Sequence, residues 1–255
     1  TMNYGPYGLI LLIPGLVYMI MGTSKFSKLS KKFKNEVLRE VISGFVEDGV
    51  FDPDRGLDMN TVYNTEFLKR ADRSHTEDYL SGKIDGVEFI SSDVKLEERH
   101  VEHTKNGTRT YYVAYFLGRI FEFDFNKSFE GYLQVLEGAR PQSKRKFDKV
   151  KLESVVFNKK FKTYATNDHT AFYVLTPHLM EALLSFEENN KGKIYFSFIG
   201  SKLYLGINNF KDTFELKMFK VLDESSFEEF KKELYVIKEV VTELKLNNNI
   251  FKKEW

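Results

Sequence analysis

Five histidines and no cysteine keep the inventory of reactive side chains short. His100-Val101-Glu102-His103 has a His-x-x-His spacing around a carboxylate. On a helix the two rings would share a face and could ligate zinc, so His100 and His103 are the candidate metal ligands. Their surroundings read as strand and hairpin and His-Glu-x-x-His is absent, so no metal is expected. Asp168 and His169, after Asn167, are the candidate catalytic pair of a hydrolase-type site, with a local turn contact as the competing reading. Chance carboxylate pairs mean little among 37 acidic residues. There is no Gly-x-Ser-x-Gly elbow, no phosphate loop with Gly-Lys-Ser/Thr and no Gly-x-Gly-x-x-Gly after a strand. Without cysteine, thiol catalysis, iron–sulfur clusters and disulfide scaffolds are excluded. No cofactor is expected, and a binding role is favoured over an enzyme.

The elements that must position these residues are mostly strands. Of the 255 residues, 42% are hydrophobic, and the 24 Phe and 14 Tyr suit a strand-built core. Asn106-Gly107 signals a tight hairpin joining strands at 94–101 and 110–117. Residues 119–125 alternate, with Phe121, Phe123 and Phe125 on one face. Strands are expected at 150–157, 161–165, 171–175, 194–199 and 203–207. Phe-Asn-Lys-x-Phe occurs at 125–129 and again at 157–161, suggesting a similar bend at both. Helical periods mark 33–45, a short stretch at 61–70, and a helix opening at Thr176-Pro177. The last helix carries a seam of Phe227, Phe230, Leu234, Ile237, Val241 and Leu244, which either packs on the sheet or builds a homo-oligomer. The fold class is therefore α+β: mostly antiparallel sheet, a few packed helices and a long C-terminal amphipathic helix.

The first charge is Lys25, and residues 9–21 are apolar around one Pro-Gly break. Residues 4–22, at about 1.5 Å each, match a hydrocarbon layer of about 30 Å, so 1–24 is read as a transmembrane helix. Lys25, Lys28, Lys31, Lys32 and Lys34 follow at once, which places the rest of the chain on the cytoplasmic side of the cell membrane. Residues 3–8 read as a turn that could join an earlier helix. Region boundaries are expected at 25–75 (helical), 76–139 (β-rich), 140–149 (basic linker) and 150–255 (α+β). The linker's Arg140, Lys144, Arg145 and Lys146 join the juxtamembrane lysines as a candidate binding surface for the inner leaflet or a partner protein. With 38 basic against 37 acidic residues, no specific nucleic-acid partner is expected.

Several segments resemble a bacterial family known as domain of unknown function 3137. They are Glu77-Asp78-Tyr79-Leu80-Ser81-Gly82 with Gly86-Val87-Glu88-Phe89, residues 121–131, Lys151-Leu152-Glu153-Ser154 through Phe157-Asn158-Lys159-Lys160-Phe161, and Ala171-Phe172-Tyr173-Val174-Leu175-Thr176-Pro177 with Met180-Glu181. The resemblance covers most of residues 25–220. It implies membrane helices, usually two, ahead of an α+β domain; one apolar stretch is present here. It implies no activity and no catalytic residue. Together these features describe a membrane-anchored protein with a cytoplasmic interaction or scaffold domain. The alternatives are a hydrolase with an unrecognised polar site and an oligomer built through the last helix.

Overall fold

In a computed structural model, residues 42–105, 107–124, 131–210 and 224–246 are described. Among them nine strands form one antiparallel sheet: β1 Glu47–Asp52, β2 Arg73–Ile84, β3 Val87–Thr104, β4 Gly107–Asp124, β5 Tyr132–Leu136, β6 Asp148–Val150, β7 Lys162–Ala165, β8 Lys193–Ile199 and β9 Lys202–Asn208. Their order is β1-β2-β3-β4-β9-β8-β5-β7-β6. The helices are α1 Met59–Asn64, α2 Val155–Lys160, α3 Asp168–Val174, α4 Pro177–Asn189 and α5 Glu224–Glu243. The expected α+β class is observed.

Period-two alternation gives the sheet two apolar faces. Ile194, Phe196 and Phe198 of β8, Leu203 and Leu205 of β9, and Phe121 and Phe123 of β4 point to the first face. There they meet Phe157 of α2, Ala171 and Val174 of α3, Leu183 and Phe186 of α4, and Leu234, Ile237 and Val241 of α5. Tyr195, Tyr204, Ile120, Leu96 and Leu136 point to the second face, covered by Leu57, Val62, Phe67 and Leu68. Each fully buried large side chain contributes about 1.5–3 kcal/mol, so neither face can be left bare. Residues 140–149 do not separate two sheets, because β5 pairs with β7 and β8 across that stretch while β9 returns to β4.

Two expected strands are helices. At α2, Ser154 Oγ accepts from Phe157 N–H, and Asn158 bonds both the N–H and the carbonyl of Leu152. At α3, Asn167 Oδ1 accepts from His169 N–H. These caps outweigh the strand preference of Val155-Val156-Phe157 and of residues 171–175. The bend expected at 157–161 is thus the end of a helix, and the matching segment at 125–129 lies outside the described residues. Thr176 caps α4 through Leu179 N–H with Pro177 in the first turn, as expected.

The long hairpin is also observed, and it extends further than expected. β2 accompanies β3 only as far as the Arg73–Glu97 pair, and β9 accompanies β4 only over 119–124. Residues 98–105 and 107–113 therefore project as a two-stranded ribbon that is exposed over most of its length. The apolar stretch at 9–21, the juxtamembrane lysines and most of the helix expected at 33–45 lie outside the described residues. No helix among the described residues is long and apolar enough to cross a membrane.

Candidate functional site

Residues 137–147, between β5 and β6, form neither helix nor strand and lie as a strap along the second face. Three contacts hold the strap. Gln142 N–H donates to the Glu66 carbonyl (2.8 Å), Arg145 Nε donates to Glu66 Oε1 (2.9 Å), and the Arg145 guanidinium lies 3.8 Å from the centre of the Tyr132 ring. Glu66 stands at φ 57° just after α1, a left-handed turn that aims its carbonyl and carboxylate at the strap. Among the described residues Glu66 Oε2 and the buried Gln134 Oε1 have no hydrogen-bond partner. Gln134 Nε2 meanwhile donates to the carbonyl of Thr65 (3.3 Å).

Two open cavities flank the strap. One, of about 630 Å³, is lined by Tyr63, Glu66, Leu68, Arg70, Pro141, Gln142, Ser143, Lys144 and Arg145. The other, of about 490 Å³, is lined by Phe67, Leu68, Lys69, Tyr115, Phe116, Gly138, Ala139, Arg140, Gln142, Lys162 and Tyr195. Leu68 and Gln142 belong to both, so the two make one groove. Its floor is aromatic. Phe67 closes over Gly206, where an added Cβ would stand 2.8 Å from the ring. Burial pushes the Tyr115 phenol upward, and burial likewise raises Tyr195.

The rim of the groove is basic. Lys69 is paired with Glu98, and Arg145 with Glu66. Arg70, Arg140, Lys144 and Lys162 form no ion pair among the described residues, although Arg70 lies over the Tyr63 ring at 5.1 Å. A third cavity, about 320 Å³ beside β2 and β3, differs in being neutralised from within. Lys83 is paired there with Glu88 (3.0 Å), and Lys202 with Glu122 (3.2 Å) and Asp124 (2.6 Å). Of these three cavities, the strap groove is the one that offers several cations without acidic partners among the described residues, which is an arrangement that recognises anions.

A family described as "Protein of unknown function (DUF3137)" matches residues 114–246. The chain belongs to this family. The match runs from β4 through α5 and takes in the strap. No curated protein matches the chain. The crystal structure of the mycobacterial trehalose monomycolate transport factor A, TtfA, overlays 76% of this chain and 88% of its own at 7% identity and a TM-score of 0.39. That score assigns neither a shared fold nor a role to this DUF3137 member.

Of the residues singled out from sequence, Arg140, Lys144 and Arg145 line the groove, and Lys146 is exposed on the same strap. His100 and His103 lie three apart on the ribbon, so their side chains leave opposite faces and do not converge on one ion. His100 stacks on Tyr111, while His103 Nδ1 is 3.0 Å from Thr108 Oγ1. Asp168 and His169 are exposed in the first turn of α3, with no hydrogen bond between them, and the His169 ring stacks on Tyr173. Leu234, Ile237, Val241 and Leu244 are buried in the core of a single chain, which makes that part of the seam a packing surface. The side chains of Phe227 and Phe230 are outside the described set. Tyr63, Glu66, Lys69, Arg70 and Lys162 were missed. The Lys69-Arg70 doublet was their one signal, and nothing in its spacing ties it to a strap seventy residues away.

Proposed function

We propose that this protein is a membrane-anchored interaction module whose cytoplasmic α+β body holds an acidic partner protein in the strap groove. The single observation carrying this reading is the set of four groove cations, Arg70, Arg140, Lys144 and Lys162, that form no ion pair among the described residues. Left empty, such a rim gains nothing from mutual repulsion; an acidic segment laid along it would gain charge-assisted hydrogen bonds to two guanidinium forks. The two lobes together exceed the roughly 300–1,000 Å³ of a small-molecule site, which favours an extended segment over a compact ligand. The anchor rests on the apolar residues 9–21 and the lysines after them.

A photo-crosslinking residue at the exposed Gln142 of the full chain, in cells, tests the groove. Discrete protein adducts at Gln142 that vanish in the Arg70→Gln/Lys144→Gln variant are expected. Adducts unchanged by that variant, or none at all, would overturn the groove as the binding site. An alkaline carbonate wash tests the anchor, with retention in the membrane pellet as the expected result.

A further inference from the structure

The projecting ribbon leaves β4 with an open edge. The chain after β9 closes that edge only as far as Tyr115: Leu117 N–H donates to Asn208 Oδ1, the Leu117 carbonyl accepts from Phe210 N–H, and the Tyr115 carbonyl accepts from Asn208 Nδ2. From there to the tip, over 107–114, no strand among the described residues lies on this side of β4. The register shows which backbone groups face the open side. Arg99 N–H turns away from β4 to reach Asp72 Oδ2 (2.7 Å), so Arg99, Val101 and His103 direct their N–H and C=O groups outward. Their opposite numbers Tyr112, Thr110 and Thr108 do the same on the β4 side. Such a row of unpaired donors and acceptors is a template for another strand. The two edges of the ribbon are not alike. On β3 the stretch carries Glu98, Arg99 and Glu102, charges of the kind that blunt an edge. On β4, residues 110–117 read Thr-Tyr-Tyr-Val-Ala-Tyr-Phe-Leu, with no charge and no proline, and Tyr111 and Val113 stand 39% and 44% exposed.

We infer that this edge pairs with the same edge of a second copy of the chain, antiparallel and two-fold symmetric about Thr110. Backbone, side chains and shape each select that occupant. Symmetry about Thr110 sets Thr110 against its own copy and Thr108 against the partner's Tyr112, so every outward group meets an outward group and each opposed pair exchanges both bonds. Symmetry about Tyr111, one step deeper, would bring the partner's Gly107 against Tyr115, whose carbonyl Asn208 already holds. Thr110 is therefore the deepest centre that clears β9. Arg109, the one charge in 107–117, then faces the partner's Tyr111 in a non-bonded pair, where side chains approach most closely. That repeats between copies the cation–ring contact Arg109 makes with Tyr111 in its own chain at 5.9 Å. Thr110 beside Thr110 is a favourable cross-strand pair, and no like charges are opposed. Because the ribbon projects from the sheet, the two bodies lie at opposite ends of the four-stranded sheet so formed and do not collide. The dimer is independent of the strap groove and leaves it open in both copies.

The chain has no native cysteine, so each introduced one is a unique reporter. In freshly lysed cells expressing the full chain, brief oxidation of Thr110→Cys is expected to give a disulfide-linked dimer. Val101→Cys, opposite Thr110 on β3 and equally far from the tip, should stay monomeric under the same oxidation. Arg109→Cys and Tyr111→Cys chains expressed together should crosslink with each other in preference to themselves, which fixes the register. Thr110→Pro removes an outward N–H but no bond to β3, so the circular dichroism of the purified full chain should be unchanged. Its dimer dissociation constant, measured by sedimentation in mild detergent, should rise about tenfold or more. Equal crosslinking at 101 and 110 would mean random collision and overturn the pairing. A disulfide at 110 without the mixed 109–111 product would overturn the register. A wild-type chain that stays monomeric and gives no disulfide at 110 would overturn the second copy as occupant. Should Thr110→Pro then also lower the melting temperature, the edge is closed within the chain itself.

Discussion

Arg119 and Asp93 face each other across β3 and β4, each at 5% side-chain exposure, with Nη1 to Oδ1 at 2.9 Å. Arg119 Nη2 also donates to the Asp78 carbonyl (2.9 Å) and to Ser91 Oγ (3.1 Å). The Asp78 carbonyl is turned toward it by a bulge in β2, where Asp78 takes φ 54°. One guanidinium thus joins three neighbouring strands. Removing either member of such a pair strands the other charge in a dry site, at a cost of about 3–5 kcal/mol. Asp93→Leu and Arg119→Met should each destabilise by that amount, whereas the double variant should lose much less, since a packed apolar pair of similar volume is often neutral. With a urea slope of about 3 kcal/mol/M, each single variant should lower the unfolding midpoint by about 1 M or more. The coupling energy from the four proteins is the readout. Single costs below about 1 kcal/mol, or a double variant as unstable as the sum of its singles, would refute the claim that this pair is a buried, mutually dependent unit.

Burial and Glu122 push the Tyr204 phenol up to about 12, and burial raises Tyr115 further. The unfolded chain therefore ionises first above about pH 10, and thermal stability should fall from there toward pH 12. Loss of the proton that pairs Lys202 with Asp124 and Glu122 acts in the same direction. Tyr204→Phe should flatten the Tyr204 share of that fall, measured as melting temperature against pH. Leu234→Asp, at a position 1% exposed, should unfold the body, and Leu234→Ala should cost about 2–5 kcal/mol by denaturant titration. A change in oligomer size with folding intact would restore the seam as an assembly surface. Gly118→Ala would place a Cβ 2.0 Å from the Ile207 carbonyl oxygen, so it should part β4 from β9 and raise amide exchange at both, measured by hydrogen exchange.

The strands that could be read from sequence are those whose two faces differ in kind. In β8 and β9, Phe196, Phe198, Leu203 and Leu205 meet the helices while Ser197 and Tyr204 do not, and that contrast is visible as alternation. In α2 and α3 the outward residues are themselves apolar, so Val155, Val156, Phe172 and Tyr173 hide the helical period and mimic a strand. The sequence clue that remained was the caps, Ser154 and Asn167, which are local and cheap to overlook.

The groove was half legible for a different reason. Arg140, Lys144 and Arg145 announced themselves as a charge run, and a charge run in a proline-containing stretch reads as a linker. What converts it into one wall of a site is Glu66, whose backbone carbonyl and carboxylate capture Gln142 and Arg145 from across the sheet. No local pattern encodes that contact, since it depends on β5 lying between β8 and β7 once the sheet is assembled. The strap is also held by exposed contacts, each worth about 1 kcal/mol or less, so its hold is far weaker than that of the core beneath it. A partner that binds Arg145 competes directly with Glu66 for the same guanidinium. Glu66→Gln should therefore strengthen acidic-partner capture at Gln142 while lowering stability only slightly, and weaker capture would mean that the groove needs the closed strap to exist.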